Sequence, residues 1–483
     1  MVDRYFDTAD GALATAGYGA RLRRTGRRTT LTLKIDIEVT GGLHRREELE
    51  ARANNELDIS QWPPSSVRDT LEAVVGDRRL IESFVVRQRR RERHVSAGGA
   101  VLLASIDSGT VFAAGAEAGD IAQFELERVR GRRAVLDRMA RAVEASGVAQ
   151  PEERSKLVIA AEMSADAARV RATDRFAEAG RKVLRRHLLR LLDRETGTRG
   201  GEDLALKQMR VATRRMRATW RVFGDAYRKR TRRRFTDELR RVGGALGAVR
   251  DLDVLIASAA RPKALRPVAD HWRERRATAF AEVLRLLDSD EYDRFVRENL
   301  AFGSSPGDGT IRRHAKATVA DTAPRAVLTA FERLIETGIA AAAASEEDAA
   351  WHALRIEGRR FRYSIEAFAD VLDAQPRDEL LKRVTRMQDH LGAMNDAAVA
   401  IDAVTQWLAE ADGADAADGD AAYADAAGTA VAEATRAAAM RYVDKRRAVI
   451  ADLRASFEPV WRDLSDAATR EMLHQSLAAL TQS

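Results

Sequence analysis

Apolar and polar positions alternate with a period of two in short segments before about residue 158, and with a helical period after about residue 165. Segments 30–35, 85–91, 101–107 and 121–127 read as strands, because alternation sends successive side chains to opposite faces of a sheet. Turn pairs such as Asp10-Gly11, Gly41-Gly42, Pro63-Pro64 and Gly98-Gly99 punctuate this region. Segments 67–75 and 134–146 read as helices, which predicts an antiparallel sheet or barrel with a few helices. Beyond Ala165, long Ala/Leu/Arg segments carry the helical period, with breaks expected at 197–201, Arg261-Pro262, 303–309 and Gln375-Pro376. The Ala/Asp/Gly-rich stretch 411–430 reads as a mobile connector or weak helix. The pattern predicts an α+β multidomain chain, with a β domain over 1–158 and an antiparallel helical domain over 165–470.

The helical region repeats. Residues 207–217 (KQMRVATRRMR) align with 352–362 (HALRIEGRRFR), and 246–251 (LGAVRD) align with 391–396 (LGAMND). Both alignments have the same offset of 145 residues. Two related halves follow, about 165–302 and 311–465, joined near 303–309.

Within the first half, Lys207, Arg210, Arg214, Arg217 and Arg221 are spaced three or four apart and so share one line on a helix. Met209, Met216, Trp220 and Phe223 form the apolar line about 100° away, so the cationic line borders the buried seam. The second half places His352, Arg355, Arg359 and Arg362 beside Leu354, Phe361, Ile365 and Phe368 in the same register. Like charges in line repel by a few tenths of a kcal/mol per pair on an exposed helix (~0.2–0.5 kcal/mol), and no carboxylate interrupts the first stripe. A shared groove holding a polyanion would compensate both stripes, and arginine suits that task because its planar fork binds phosphate oxygens in pairs. Asp251 and Asp396, which recur after Leu-Gly-Ala, read as caps or ion-pair partners of the basic helices.

The chain has 483 residues, enough for two or three domains with substantial cores. Its net charge is +7, yet the window 207–241 alone holds fourteen Lys/Arg against three Asp/Glu and is more positive than the whole. Such a concentrated field implies an anionic partner. The absence of cysteine excludes disulfides, thiolate metal sites and cysteine nucleophiles, and fits a cytoplasmic protein. No run approaches 18 apolar residues and the start lacks a signal peptide's apolar stretch, so no membrane association is expected.

Arg210-Val-Ala-Thr-Arg-Arg-Met-Arg217 followed by Leu246-Gly-Ala-Val-Arg-Asp251, both recurring in the second half, resembles the CHAD domain, a conserved-histidine α-helical domain. The resemblance implies two pseudo-symmetric four-helix bundles whose basic surface binds inorganic polyphosphate through Lys207, Arg210, Arg214, Arg217, Arg221, His352, Arg355, Arg359 and Arg362, with no cofactor needed. His352 matches the family's histidine, and Lys207 stands at the equivalent place in the first half.

In the N-terminal region, alternation groups Arg21 with Arg23, Thr32 with Lys34, Glu48 with Glu50, Arg87 with Arg89, Arg91 and Arg93, and Glu125 with Glu127. Two arrangements are open: the charged side lines an enclosed ligand site, or it faces solvent while the apolar side forms an ordinary core. Alternation alone favours the second. Tyr5-Phe-Asp-Thr8, Arg21-Leu-Arg23, Leu31-Thr-Leu-Lys34, Arg46-Glu-Glu48, Ile106-Asp107, Glu125-Leu-Glu127 and Ser155-Lys156 resemble the CYTH domain of triphosphate tunnel metalloenzymes. The resemblance implies a β-tunnel in which Arg21, Arg23, Lys34, Arg89, Arg91 and Lys156 contact triphosphate. It also implies that Glu48, Glu125 and Glu127 hold Mg²⁺ or Mn²⁺. The family's Glu-x-Glu-x-Lys strand, expected ahead of Tyr5, is missing here, which predicts either a start lying farther upstream or an incomplete tunnel without full catalysis. The expected function is polyphosphate binding by the helical domain. A Mg²⁺-dependent triphosphatase or polyphosphatase is the first alternative and nucleic-acid binding the second, with only 6% aromatic residues and none on the stripes to stack bases.

Overall fold

The computed structural model describes residues 1–40, 43–259, 263–311, 317–344, 346–417 and 426–480. It divides into two compact units, one formed by Met1–Arg169 with Leu189–Gly200 and Leu300–Asp308, the other by Val170–Leu188, Gly201–Asn299 and Gly309–Ser483.

The first unit is built on seven antiparallel strands: β1 (Val2–Asp7), β2 (Tyr18–Thr25), β3 (Arg28–Thr40), β4 (Leu43–Arg52), β5 (Ile81–Ala97), β6 (Ala100–Ala113) and β7 (Ala116–Arg130). Their order is β4-β3-β2-β1-β5-β6-β7, so the first strand of the chain lies at the centre of the sheet. Four helices accompany it, α1 (Ala12–Thr15), α2 (Ser66–Val75), α3 (Arg133–Ala145) and α4 (Lys156–Ala167). The Ser65 side chain caps α2 by accepting from the Arg68 N–H, and Gly76 with φ 56° ends it. Phe6, Ala20, Leu22, Leu31 and Leu33 on one face of β1–β3 pack against Leu13 of α1 and Val67, Leu71 and Val75 of α2.

The opposite face meets α4 through Tyr5, Phe84, Val86, Val111, Ile121 and Ala160. It then turns polar: Asp3, Arg21, Thr32, Gln88, Ser105 and Asp107 are all buried. At β1–β3 the charged side is therefore the enclosed one, contrary to what alternation alone favours, because α1 and α2 cover the apolar side; Arg87, Arg89, Arg91 and Arg93 of β5 are exposed, as alternation favours. Gly19 leaves room for the Leu157 side chain of α4 against the sheet; a Cβ there would lie 2.5 Å from Leu157 Cδ2.

The remaining chain is helical: α5 (Phe176–Asp193), α6 (Glu195–Arg199), α7 (Asp203–Phe223), α8 (Lys229–Ala259), α9 (Arg266–Leu287), α10 (Asp290–Gly303), α11 (Val319–Ala343), α12 (Asp348–Ala367), α13 (Ala374–Ala417), α14 (Ala426–Ala455), α15 (Phe457–Ser465) and α16 (Ala467–Ala478). The break expected at Gln375-Pro376 falls slightly earlier, since α13 begins at Ala374 and the proline occupies its first turn, where no backbone N–H is needed. Arg261-Pro262, Gly41-Gly42 and residues 418–425 of the low-complexity stretch lie outside the described residues.

The two basic helices of the repeat, α7 and α12, pack against each other within the helical unit. Met209, Met216, Trp220 and Phe223 of α7 are buried, as are Leu354, Phe361, Ile365 and Phe368 of the second half. Each such side chain contributes about 1.5–3 kcal/mol by burial. Phe223 and Phe368, which are repeat equivalents, touch each other with ring centroids 5.3 Å apart. Contact between equivalent positions is the mark of a twofold relation, so a pseudo-twofold axis passes between α7 and α12.

Candidate functional site

That axis brings the two cationic lines together. Arg210 and Arg214 on α7 lie within electrostatic reach of Arg355 and Arg359 on α12. Arg359 is pulled down to about 10 by partial burial, then by Arg355, Arg214 and Arg210, with Tyr363 opposing, so it stays charged at neutral pH. Burial also lowers Arg355; Asp396 opposes this, and the charges of Arg214 and Arg210 add to it. Arg210 is lowered by burial too, against the pull of Asp251, while Arg214 and Arg250 add repulsion. Arg210 Nη2 donates to Asp251 Oδ1 at 3.1 Å, and Arg214 Nε donates to the Tyr363 hydroxyl at 2.8 Å. Four guanidinium groups that disfavour one another, flanked by Asp251 and Asp396, form a half-buried site of positive potential. Its chemistry suits a multivalent oxyanion.

The polar face of the β unit is organised differently. Asp3 accepts from Arg23 Nε at 2.8 Å, Arg23 Nη2 at 2.7 Å and Gln88 Nε2 at 3.0 Å. Asp107 accepts from Arg90 at 2.7 and 2.6 Å and from Lys156. Arg90 also reaches Glu125 at 3.0 Å, and Lys34 pairs with Glu48. Burial pushes Asp3 and Asp107 up, yet their basic partners hold both below the ordinary carboxylate value. Burial lowers Lys156, opposed by Glu125 and Asp107. Tyr5, Tyr18, Arg21, Lys34, Arg90, Glu125 and Lys156 line a cavity of about 210 Å³. Lys34 on β3 and Glu125 on β7 stand five places apart in the strand order and yet line one cavity, so the sheet curls around this space. Arg21 Nε is buried there without a hydrogen-bond partner, which a small oxyanion would satisfy.

A CYTH-domain family model matches residues 1–158, and a CHAD-domain family model matches residues 182–405. The chain is a CYTH domain followed by a CHAD domain. Uncharacterized proteins of two Mycobacterium tuberculosis strains, CDC 1551 / Oshkosh and ATCC 25618 / H37Rv, are each 24% identical over 398 residues, covering 75% of this chain and 75% of theirs. Among solved structures, the CHAD domain from the plant Ricinus communis is 21% identical with a TM-score of 0.44, covering 63% of this chain and 94% of that one. PptA from Streptomyces chartreusis is 19% identical with a TM-score of 0.41, covering 59% and 98%.

In the CHAD domain, Lys207 and His352 are exposed on the same helix lines as the four-arginine cluster. Arg217 and Arg221 continue the α7 line, where Arg221 meets Arg217 and Arg360. Arg362 does not join them. Its Nε donates to Glu366 at 2.9 Å and its Nη1 to Gln388 at 3.0 Å. Glu366 also pairs with Arg215 at 3.0 Å. The offset of 145 would have revealed this, since Glu366 is the repeat equivalent of Arg221. Tyr363 had no comparable signal, because its equivalent is Ala218.

In the CYTH domain, Arg21, Lys34 and Lys156 share the cavity, and Arg23 stands on the same face bound to Asp3. Arg89 and Arg91 do not belong to this set. The pairing of Arg90 with Asp107 and of Gln88 with Gly109 points the even-numbered residues inward and the odd-numbered arginines to the opposite face. Arg90 takes the inward place expected of Arg89 and Arg91. The expected metal residues are not gathered either: Glu48 is engaged by Lys34, Glu125 by Arg90, and Glu127 is exposed. Among the described residues no group of three His, Cys, Asp or Glu side chains could hold an ion. The side chains present do not fit a Mg²⁺ or Mn²⁺ ion, because cations of the chain already neutralise the carboxylates.

Proposed function

We propose that the CHAD domain binds inorganic polyphosphate along the surface where Arg210 and Arg214 face Arg355 and Arg359, with Lys207, Arg217, Arg221 and His352 extending the contact. What supports this reading is the mutual approach of four guanidinium groups of like charge, with Asp251 and Asp396 beside them. A linear chain of phosphates supplies the missing negative charge at close intervals and offers paired oxygens to each guanidinium. The attached CYTH domain accepts a small phosphate group at Arg21 and Lys156 and does not carry out metal-dependent hydrolysis, since its carboxylates are committed to its own cations.

The test is a titration of the full chain with long-chain polyphosphate beside duplex DNA of equal charge. Tighter binding of polyphosphate, weakened more than tenfold when Arg210, Arg214, Arg355 and Arg359 are replaced by Ala, supports the reading. Unchanged affinity in that variant, or tighter DNA binding lost in the same variant, overturns it.

A further inference from the structure

The outer face of β5–β7 carries a second charged surface, distinct from both sites above. Arg87, Arg89, Arg91 and Arg93 alternate along β5 and are all exposed. Alternate residues of a strand stand about 6.8 Å apart, so these arginines form a regular row. None of the four forms an ion pair among the described residues. The one carboxylate in register on this face near the row, Asp120, accepts from the Thr110 hydroxyl at 2.7 Å.

Beside the row runs an apolar one. Arg91 stands opposite Ile106 on β6, which stands opposite Phe124 on β7; Arg93 likewise leads through Ala104 to Leu126. Neighbouring strands lie about 4.8 Å apart, which puts Phe124 about 9.6 Å from the arginine row on the same face. Ile106 is 52% exposed, although it sits mid-strand between two neighbours. Phe124 and Leu126 are half-buried. The α1 and α2 helices cover this side of the sheet at β1–β4, and α3 packs against β7. The Phe112 ring is already occupied by Arg87, whose guanidinium lies 4.5 Å above it, whereas the half-buried Phe124 ring carries no such cation among the described residues.

We infer that this face binds single-stranded nucleic acid, with Arg89 and Arg91 on successive backbone phosphates and Phe124 stacking a base beside Ile106. A row of cations parallel to a row of apolar and aromatic side chains matches a polymer whose charged backbone runs beside flat, weakly hydrated groups. Polyphosphate would neutralise the arginines but offers nothing to cover Ile106 and Phe124.

The inference is independent of the proposed function of the helical unit, and one experiment separates them. A labelled twelve-nucleotide oligouridylate is titrated against the full chain over a range of salt, with polyphosphate and phosphatidylserine vesicles as comparators. The expected result is salt-dependent binding that weakens roughly tenfold in Phe124→Ala. In Arg89→Ala/Arg91→Ala the salt slope should fall by about 0.7 for each arginine removed. The variant lacking Arg210, Arg214, Arg355 and Arg359 should retain this binding. Phe124→Leu keeps the apolar volume and removes the ring, so it should also weaken binding if stacking operates and guards against misfolding of the Ala variant. No oligonucleotide binding, binding indifferent to Arg89 and Arg91, or a defect of the Arg89/Arg91 variant confined to polyphosphate or to vesicles would overturn the inference.

Discussion

Arg214 on α7 donates its Nε to the hydroxyl of Tyr363 on α12 at 2.8 Å, so the second half of the repeat orients a cation of the first. Phe at position 363 would keep the ring and release the guanidinium. A neutral-partner hydrogen bond of this kind contributes about 0.5–1.5 kcal/mol. Tyr363→Phe is expected to weaken polyphosphate binding about threefold to tenfold, read by calorimetry, with the fold unchanged by circular dichroism.

Mutual repulsion within the arginine cluster is expected to oppose folding in the absence of ligand. Removing Arg355 and Arg359 together relieves repulsion with Arg210 and Arg214. The unliganded double Ala variant is expected to melt about 2–4 °C higher than the parent while losing affinity for polyphosphate. Scanning calorimetry checks the first change and titration the second; a lower melting temperature would count against the repulsion.

Asp107 neutralises Arg90 and Lys156 at once. Asp107→Asn leaves both cations without their shared carboxylate, one of them the buried Lys156, and is expected to cost about 3–5 kcal/mol in denaturant unfolding of the CYTH domain. The pH dependence has a definite sign. Asp3 and Asp107 are held below 3.8, so their contribution to stability is complete above that value and is lost as pH falls through the depressed ones. The parent should therefore lose stability progressively below about pH 4, and Asp107→Asn should lose less over the same interval.

Divalent metal gives a further check. Because Glu48 and Glu125 already face Lys34 and Arg90, titration with Mn²⁺ is expected to show no stoichiometric site, and tripolyphosphate with Mg²⁺ no turnover. Tight Mn²⁺ binding that disappears in Glu125→Gln would show that a carboxylate leaves its cation to take the metal.

Much of this architecture could be read from periodicity. The strands at 30–35, 85–91, 101–107 and 121–127, the repeat, and the register of arginines against Met209, Met216 and Trp220 all follow from spacing. What spacing could not provide was the choice of face. Alternation says that Arg89 and Arg91 share a side, but the phase of β5 relative to Asp107 decides that Arg90 is the one inside. Pairing across helices was equally hidden. Arg362 looks like a member of the stripe until Glu366, one turn farther along α12, is seen to hold it. The expectation of a solvated charged face failed at β1–β3, where α1 and α2 cap the apolar side of the sheet, and held for the odd-numbered arginines of β5.

Glu366 stands where strict duplication would place a second Arg221. By capturing both Arg362 and Arg215, this one acid ends the cationic run of α12 after Arg359, whereas that of α7 continues to Arg221. The two copies of the ancestral segment are no longer interchangeable: the first has kept the longer grip, and the second has turned part of its charge into a brace.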